Sequence, residues 1–224
     1  MNRDRFKDAD WFPKGDETVV IGGQGGIGSW LTLLLSRIGY NLVTYDFDTV
    51  EEHNIGGQYF KSSDIGKYKT IAIRDNVMEY ANNSITVFNE PISENTIFSP
   101  FMMSAFDNMK ARRDLFEIWK QSFEISNHYP IFIDGRLEPE MFQIFCVRPH
   151  QAELYEKECL FDDSAVEELS CTFKQTSHTA AMIAGHMTAF FTNHISNIHN
   201  KGDIREIPFL YEYATPFNLT HEIK

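Results

Sequence analysis

The chain has 224 residues, a formal net charge of −12 and only three cysteines. So acidic a balance disfavours non-specific nucleic-acid binding, and no apolar run is long enough to span a bilayer. A charged start without a signal-peptide pattern, and cysteines too few for a disulfide framework, lead us to expect a protein of the reducing cytoplasm, long enough for one substantial α/β domain.

Thr18-Val19-Val20-Ile21 is a short β-branched run, the pattern of a buried parallel strand. Gly23, Gly25 and Gly28 follow as G-x-G-x-x-G, with Gly22 and Gly26 as extras, and Ser29–Ile38 is apolar nearly all round until Gly39 ends it. Strand, glycine turn and helix in that order form a phosphate loop. Glycines let the backbone approach phosphate, and the helix start offers N–H groups and a positive dipole. The pattern points to a nucleotide without saying which. The next strand, Leu42–Tyr45, ends in Asp46, about 20 residues past the loop, where a ribose-binding acid belongs. An acid there favours an unphosphorylated ribose, as in NAD or ATP. Asp48 falls on the same side of an extended chain, though a solvated strand end or a helix N-cap would account for it as well.

A helix is expected over Lys67–Asn82, and by its composition alone Lys69 belongs to a solvated face. Strands are expected at Ile85–Phe88 and Phe101–Ala105, then a helix over Lys110–Phe123 for which Asp107 could be the N-cap. This alternation predicts a parallel sheet with helices on both faces. Beyond it, Ile131–Asp134 and Met141–Val147 flank a turn at Glu138-Pro139-Glu140, an antiparallel pair. The stretch HQAELYEKECLFDDSAVEELS is acidic and aperiodic, which predicts a mobile loop. A last helix, Thr176–Ile198, carries His178, His186 and His194. Their spacing suits a partly exposed face better than a metal site, because paired ligands on a helix sit closer together. The aromatic tail PFLYEYATPFNLTHEIK is expected to be a docking strand or a partner contact. The fold class is therefore α/β, a Rossmann-like doubly wound, mostly parallel sheet continuing into an antiparallel C-terminal part. One unit spans 1–224, with 1–125 as its nucleotide-binding half and 126–224 as the remainder.

The run D-F-D-T-V-E-x-x-N-x-x-x-Q from Asp46 to Gln58, then D-I-G-x-x-K ending at Lys69, then Phe106-Asp107-Asn108 leading to Arg112-Arg113, resembles the ThiF/MoeB/HesA family. These adenylyltransferases activate ubiquitin-like proteins and share their domain with ubiquitin-activating enzymes. The resemblance covers Thr18–Phe116 well and continues weakly through the last helix. It implies MgATP and a partner's C-terminal carboxylate: the carboxylate attacks the α-phosphate, pyrophosphate leaves, and an acyl-adenylate forms. A carboxylate is ionised at neutral pH and needs no general base, so catalysis is mainly positioning and charge neutralisation.

By that resemblance Lys69 contacts the phosphates and Asp107 holds Mg²⁺. Asp46 takes the ribose, Asp48 lies near the metal or nucleotide, and Asn54 and Gln58 bond phosphate oxygens. Gly23, Gly25, Gly26 and Gly28 cradle the nucleotide. The implied partner is a ubiquitin-like protein or a peptide with a free C-terminal carboxylate, and the implied assembly is a homodimer, with no nucleic acid and no membrane. Arg136 or Arg148 is the candidate to meet the incoming carboxylate.

Three departures stand out. Gly57, preceded by Gly56, replaces the family's arginine before Gln58; Arg112 or Arg113 in cis, or Arg3 or Arg5 from a neighbouring protomer, are the candidate substitutes. No C-x-x-C pair exists, so the four-cysteine zinc site of many relatives is not expected. Cys171, nearest to the family's acceptor thiol, lies beside acids that disfavour a thiolate and is expected to be structural, as is Cys146 in its strand. The alternatives are a peptide modifier of the microcin-synthesis type, a catalytically weak nucleotide-binding partner or scaffold of a heteromeric activating enzyme, and an NAD-dependent oxidoreductase. The last leaves Asp48, Asn54, Gln58, Lys69 and Asp107 without a role.

Overall fold

The structure, a computed structural model, describes residues 5–13, 17–125, 129–161, 176–199 and 204–224. Strands β1 (Thr18–Gly22), β2 (Asn41–Tyr45), β3 (Thr86–Phe88), β4 (Phe101–Ser104), β5 (Ile131–Leu137), β6 (Met141–Val147), β7 (Leu210–Ala214) and β8 (Leu219–Ile223) form one eight-stranded sheet, in the order β3-β2-β1-β4-β5-β6-β7-β8. The first five run parallel and the last three alternate antiparallel. Helices α1 (Gly26–Ile38), α2 (Lys69–Ala81), α3 (Met109–Lys120), α4 (Ser122–Ile125), α5 (Ala152–Cys159) and α6 (Ser177–His199) accompany it.

Alternation along the strands sorts the core into two layers. Val19 and Ile21 of β1 face α1, α2 and α6, joining Leu31, Leu35, Ile73, Val77, Ile183 and Phe191. Val20 faces the other way, joining Phe116 and Trp119 of α3 and Tyr155 of α5. The inner strands β1, β2 and β4 are thus buried on both faces, which explains their near-continuous apolar sequence. Helix α1 stops where Gly39, at φ +114°, returns its N–H to the Leu35 carbonyl.

Four expectations are corrected. Helix α1 begins at Gly26 and not Ser29, because its first turn packs against the end of β1, where Gly28 allows the close approach (below). The long C-terminal part of the third helix is broken at Gln121 into α3 and α4. Residues 152–159, expected to be loop, form α5: Ala152 and Tyr155 are buried while Glu153, Lys157 and Glu158 point outward, so the acids hid a short amphipathic stripe. The tail is not a separate docking strand. Its β7 and β8 form a hairpin that extends the sheet, with Ile207, Phe209 and Tyr211 in the core and β8 exposed along its length. The acidic segment that leads to α6 lies outside the described residues beyond Phe161, as does Cys171.

No described helix is long and apolar enough to cross a membrane. His194 departs from the expected exposed face. It is buried, its Nε2 donates to the Tyr129 carbonyl at 2.7 Å, and burial pushes its pKa down to about 4. His186 stacks on Tyr211, whose hydroxyl lies 3.0 Å from its Nε2.

Candidate nucleotide and acyl-transfer site

The carboxyl ends of β2, β1 and β4 are laced together. Gly23 N–H donates to the Tyr45 carbonyl and Ala105 N–H to the Gly22 carbonyl, at 2.9 and 2.8 Å. This is the sheet's switch point, where chain order reverses between β1 and β4 and where open α/β sheets bind ligands. The glycines here have separate reasons. Gly23 has φ +89°, which disfavours other residues. A Cβ on Gly28 would lie 1.8 Å from the Gly23 carbonyl oxygen, so the helix can approach the strand only with glycine. No side chain caps the start of α1 and no acid lies in its first turn, which leaves that end open to an anion.

Asp46 ends β2 almost buried. Its Oδ2 accepts from Gln24 N–H at 2.6 Å and its Oδ1 from Asp48 N–H at 2.8 Å. Burial pushes its carboxyl pKa up, against the opposing pull of Lys69 and those two N–H groups. Lys69 is not on a solvated face. It opens α2 buried to 8 % exposure, its Nζ lies 2.8 Å from Asp48 Oδ2, and its backbone N–H bonds the Asp48 carbonyl. The structure thus brings Asp46, Asp48 and Lys69 together beside the glycine loop.

The segment between them is folded back onto α1: Trp30 Nε1 donates to the Gly57 carbonyl and Tyr59 N–H to Ser29 Oγ. Buried Asn54 accepts from Glu51 N–H at 2.8 Å and so holds a turn in this state. Gln58 Oε1 and Gln24 Nε2 are buried without a hydrogen-bond partner. Orphaned carboxamide atoms around a glycine cradle suit a phosphate-bearing ligand, since buried polar atoms are rarely left unmatched. Asp107 is exposed just past β4. The N-cap of α3 is Asn108, which accepts from Ala111 N–H at 2.9 Å, so the Asp107 carboxylate is free of that duty. An exposed carboxylate beside a phosphate cradle suits Mg²⁺, which keeps most of its waters and takes one or two protein ligands. No cluster of three metal-ligating side chains occurs among the described residues.

The arginines fall elsewhere. Arg112 is buried beneath the β4–α3 loop, bonded to Asp134, to the Gly135 carbonyl and to the Phe106 carbonyl. Arg113 donates to the Leu160 carbonyl. Arg136 bonds Asp134 and the Cys159 carbonyl and lies over the Phe145 ring. Arg148, bonded to Gln151, follows β6 at the opposite edge of the sheet. Arg3 lies outside the described residues; the segment carrying Arg5 is anchored near the amino end of β2, where Tyr40 hydroxyl donates to the Trp11 carbonyl. Cys146 is fully buried and burial pushes its thiol pKa up, in keeping with a core role. Sequence reasoning missed the cluster of Asp134, Arg112, Arg136 and Tyr155, because Tyr155 sits in the unforeseen α5. The available signal was Asp134 two residues before Arg136 at a strand end.

The chain belongs to the ThiF family, whose model matches residues 15–224. Among curated proteins it is similar to ubiquitin-like modifier-activating enzyme 5 of Dictyostelium discoideum, 30 % identical over 162 residues, covering 59 % of this chain and 42 % of that one. The enzyme of the same name from Oryza sativa subsp. japonica is 25 % identical, covering 77 % and 34 %. The chain thus spans less than half the length of these relatives. Among solved structures, PaaA superposes with a TM-score of 0.67 at 20 % identity, covering 93 % of this chain and 64 % of that one. The E. coli MccB structure with ATP gives 0.68 at 16 %, covering 95 % and 64 %. These likenesses bear on the fold.

Proposed function

We propose that the chain is an ATP-dependent adenylyltransferase that activates the C-terminal carboxylate of a small ubiquitin-like protein or peptide. The observation that carries this reading is the buried Lys69 against Asp48, beside Asp46 and the glycine loop at the switch point of a ThiF-family sheet. The ubiquitin-like activators and the MccB structures with MccA peptide give the two substrate types their support.

In this reading Gly23, Gly25, Gly26 and Gly28 admit the phosphates and Asp46 takes the ribose. Lys69 exchanges Asp48 for phosphate oxygens, and Asn54, Gln58 and Asp48 position the nucleotide. Asp107 would hold Mg²⁺, which supplies charge neutralisation at the phosphates. A carboxylate oxygen of the acceptor bonds the α-phosphorus, the bond to the bridging oxygen breaks, and pyrophosphate leaves with that electron pair. Nothing in the step requires a base. A homodimer in the cytoplasm, with 1–224 as one adenylation unit, completes the reading.

A second reading, a catalytically weak nucleotide-binding partner of a heteromeric activating enzyme, is favoured by the absence of an arginine at Gly57. The in-cis substitute Arg112 is buried beneath the site and bonded to Asp134 and two backbone carbonyls. ATP–pyrophosphate exchange with Mg²⁺ separates the two, run with and without host lysate and beside Lys69→Ala and Asp107→Ala. Lysate-dependent exchange lost in both variants supports adenylation. ATP binding without exchange supports the partner reading, and NAD retained through purification in place of ATP overturns both.

A further inference from the structure

The Asp134 cluster ties three parts of the molecule to the edge of the proposed site. Asp134, at the middle of β5 and level with the last residue of β4, is fully buried. Its Oδ1 accepts from Arg112, and its Oδ2 accepts from Arg136 Nε and Tyr155 hydroxyl, both at 2.9 Å. Arg112 also donates to two carbonyls, those of Gly135 and of Phe106, the residue before Asp107. On the far side Arg136 Nη2 reaches the Cys159 carbonyl at 2.8 Å, at the end of α5. One guanidinium fork therefore spans β5 and the loop that presents Asp107, and the same carboxylate anchors α5. Only a planar, multi-donor cation can make these bonds at once.

We propose that Arg112 and Asp134 are positioning residues, which aim Asp107 through the Phe106 carbonyl and tie that loop to α5. The proposal rests on the adenylation reading for the purpose of that aim, and on geometry alone for its existence. Both residues are buried beneath the loop. Because Mg²⁺ affinity at a single carboxylate depends on how well that carboxylate is held, a loosened loop weakens the response to Mg²⁺ more than it weakens the nucleotide cradle.

The test is hydrogen–deuterium exchange by mass spectrometry on wild type, Arg112→Lys, Tyr155→Phe and Ile195→Ala, the last a core truncation in α6 remote from the cluster. It is paired with Mg²⁺ titrations of ATP binding by calorimetry. Arg112→Lys is expected to speed exchange of the 105–109 amides about tenfold relative to those of α1 and α6, and to raise the half-saturating Mg²⁺ by a comparable factor. ATP affinity at saturating Mg²⁺ should stay within about twofold. Tyr155→Phe, which keeps the ring, should give a smaller shift in the same amides. Should Arg112→Lys speed exchange no more selectively than Ile195→Ala, with the Mg²⁺ midpoint unmoved, the cluster is scaffold alone and the proposal is overturned. If Arg112→Lys does not fold, Tyr155→Phe decides by the same two readouts. A wild type that never exchanges pyrophosphate overturns adenylation, while the loop-selective exchange still decides the positioning role.

Discussion

Two buried carboxylates stand at the same edge of the sheet and behave oppositely. Asp134, in β5 level with the end of β4, has both oxygens filled by guanidinium and phenol donors. Burial works to raise its pKa, but Arg112 and Arg136, with hydrogen bonds from Arg136 and Tyr155, hold it below the ordinary value. Asp46 just past the end of β2 accepts, among the described residues, two backbone N–H groups, and burial leaves its pKa raised. The first is a closed network and strengthens the fold when ionised. The second opposes the fold when ionised, and the opposition is relieved as pH falls through its raised value. An acid retained at a cost to stability, beside a glycine cradle and a buried lysine, is the signature of a place kept for a ligand.

The sharpest way to break this comparison is to remove one partner from the closed network. Asp134→Ala leaves two guanidinium groups of low exposure without their carboxylate. The expected loss is about 3–5 kcal/mol in urea unfolding, the cost of uncompensated buried charge. A loss below about 1 kcal/mol would mean water reaches the cluster and would place Asp134 in the same class as an exposed ion pair.

Acid should act next. Folded His194 has its pKa lowered to about 4 from 6.5, so between those values the unfolded chain binds the extra proton and stability falls as pH falls. The drop across that window is about 3 kcal/mol. His194 has Tyr129 carbonyl, the Phe101 ring and the positive charge of Arg148 around it, none of which offers a counter-charge. His194→Gln, which can keep the hydrogen bond, should flatten the urea midpoint between pH 6.5 and 4. The contribution of Asp134 is present above the ordinary carboxylate range and is lost only at lower pH, through its depressed folded value. A variant whose midpoint still falls steeply across the window would assign the drop to another group.

Gly28→Ala comes third. Its Cβ would collide with the Gly23 carbonyl, and the backbone must shift to admit it, an overpacking cost of about 1–3 kcal/mol. In the adenylation reading ATP binding should also be lost, because the same shift displaces the start of α1 from Gly23. Retained nucleotide affinity in a destabilised variant would separate the cradle from the site.

How much of this was legible follows from range. The first strands, α1 and the order of acids could be read because each is set by local pattern: β-branched runs, glycine spacing, a carboxylate at a strand end. Lys69 could be placed on a helix but its burial could not, since that depends on the 46–48 segment folding back across it. Tyr155 and α5 were hidden because the surface of that helix is almost wholly charged and its single buried ring meets residues from α3 and β5. The sheet extension by β7 and β8 was likewise invisible, as antiparallel pairing of β7 with β6 joins residues about 70 apart, a long-range choice that the pattern within the tail leaves open.

The smallest effect on stability should accompany a large effect on binding. The Lys69–Asp48 pair has one half-exposed member, so Asp48→Asn should change unfolding free energy by about 0–1 kcal/mol. It also releases the only carboxylate that holds Lys69 among the described contacts. In the adenylation reading the lysine must leave Asp48 to reach phosphate, and Asp48 then lies near the nucleotide. If its main part is to hold the lysine, Asp48→Asn should bind the triphosphate more tightly; if it is to position metal or nucleotide, binding should weaken. Lys69→Ala should weaken binding of ATP far more than of AMP, as expected of a lysine aimed at the outer phosphates. Calorimetry with ATP, ADP and AMP on both variants distinguishes these outcomes. Equal weakening for all three nucleotides in Lys69→Ala would place the lysine against the nucleoside or the α-phosphate, and the comparison with the closed Asp134 network would then turn on burial alone.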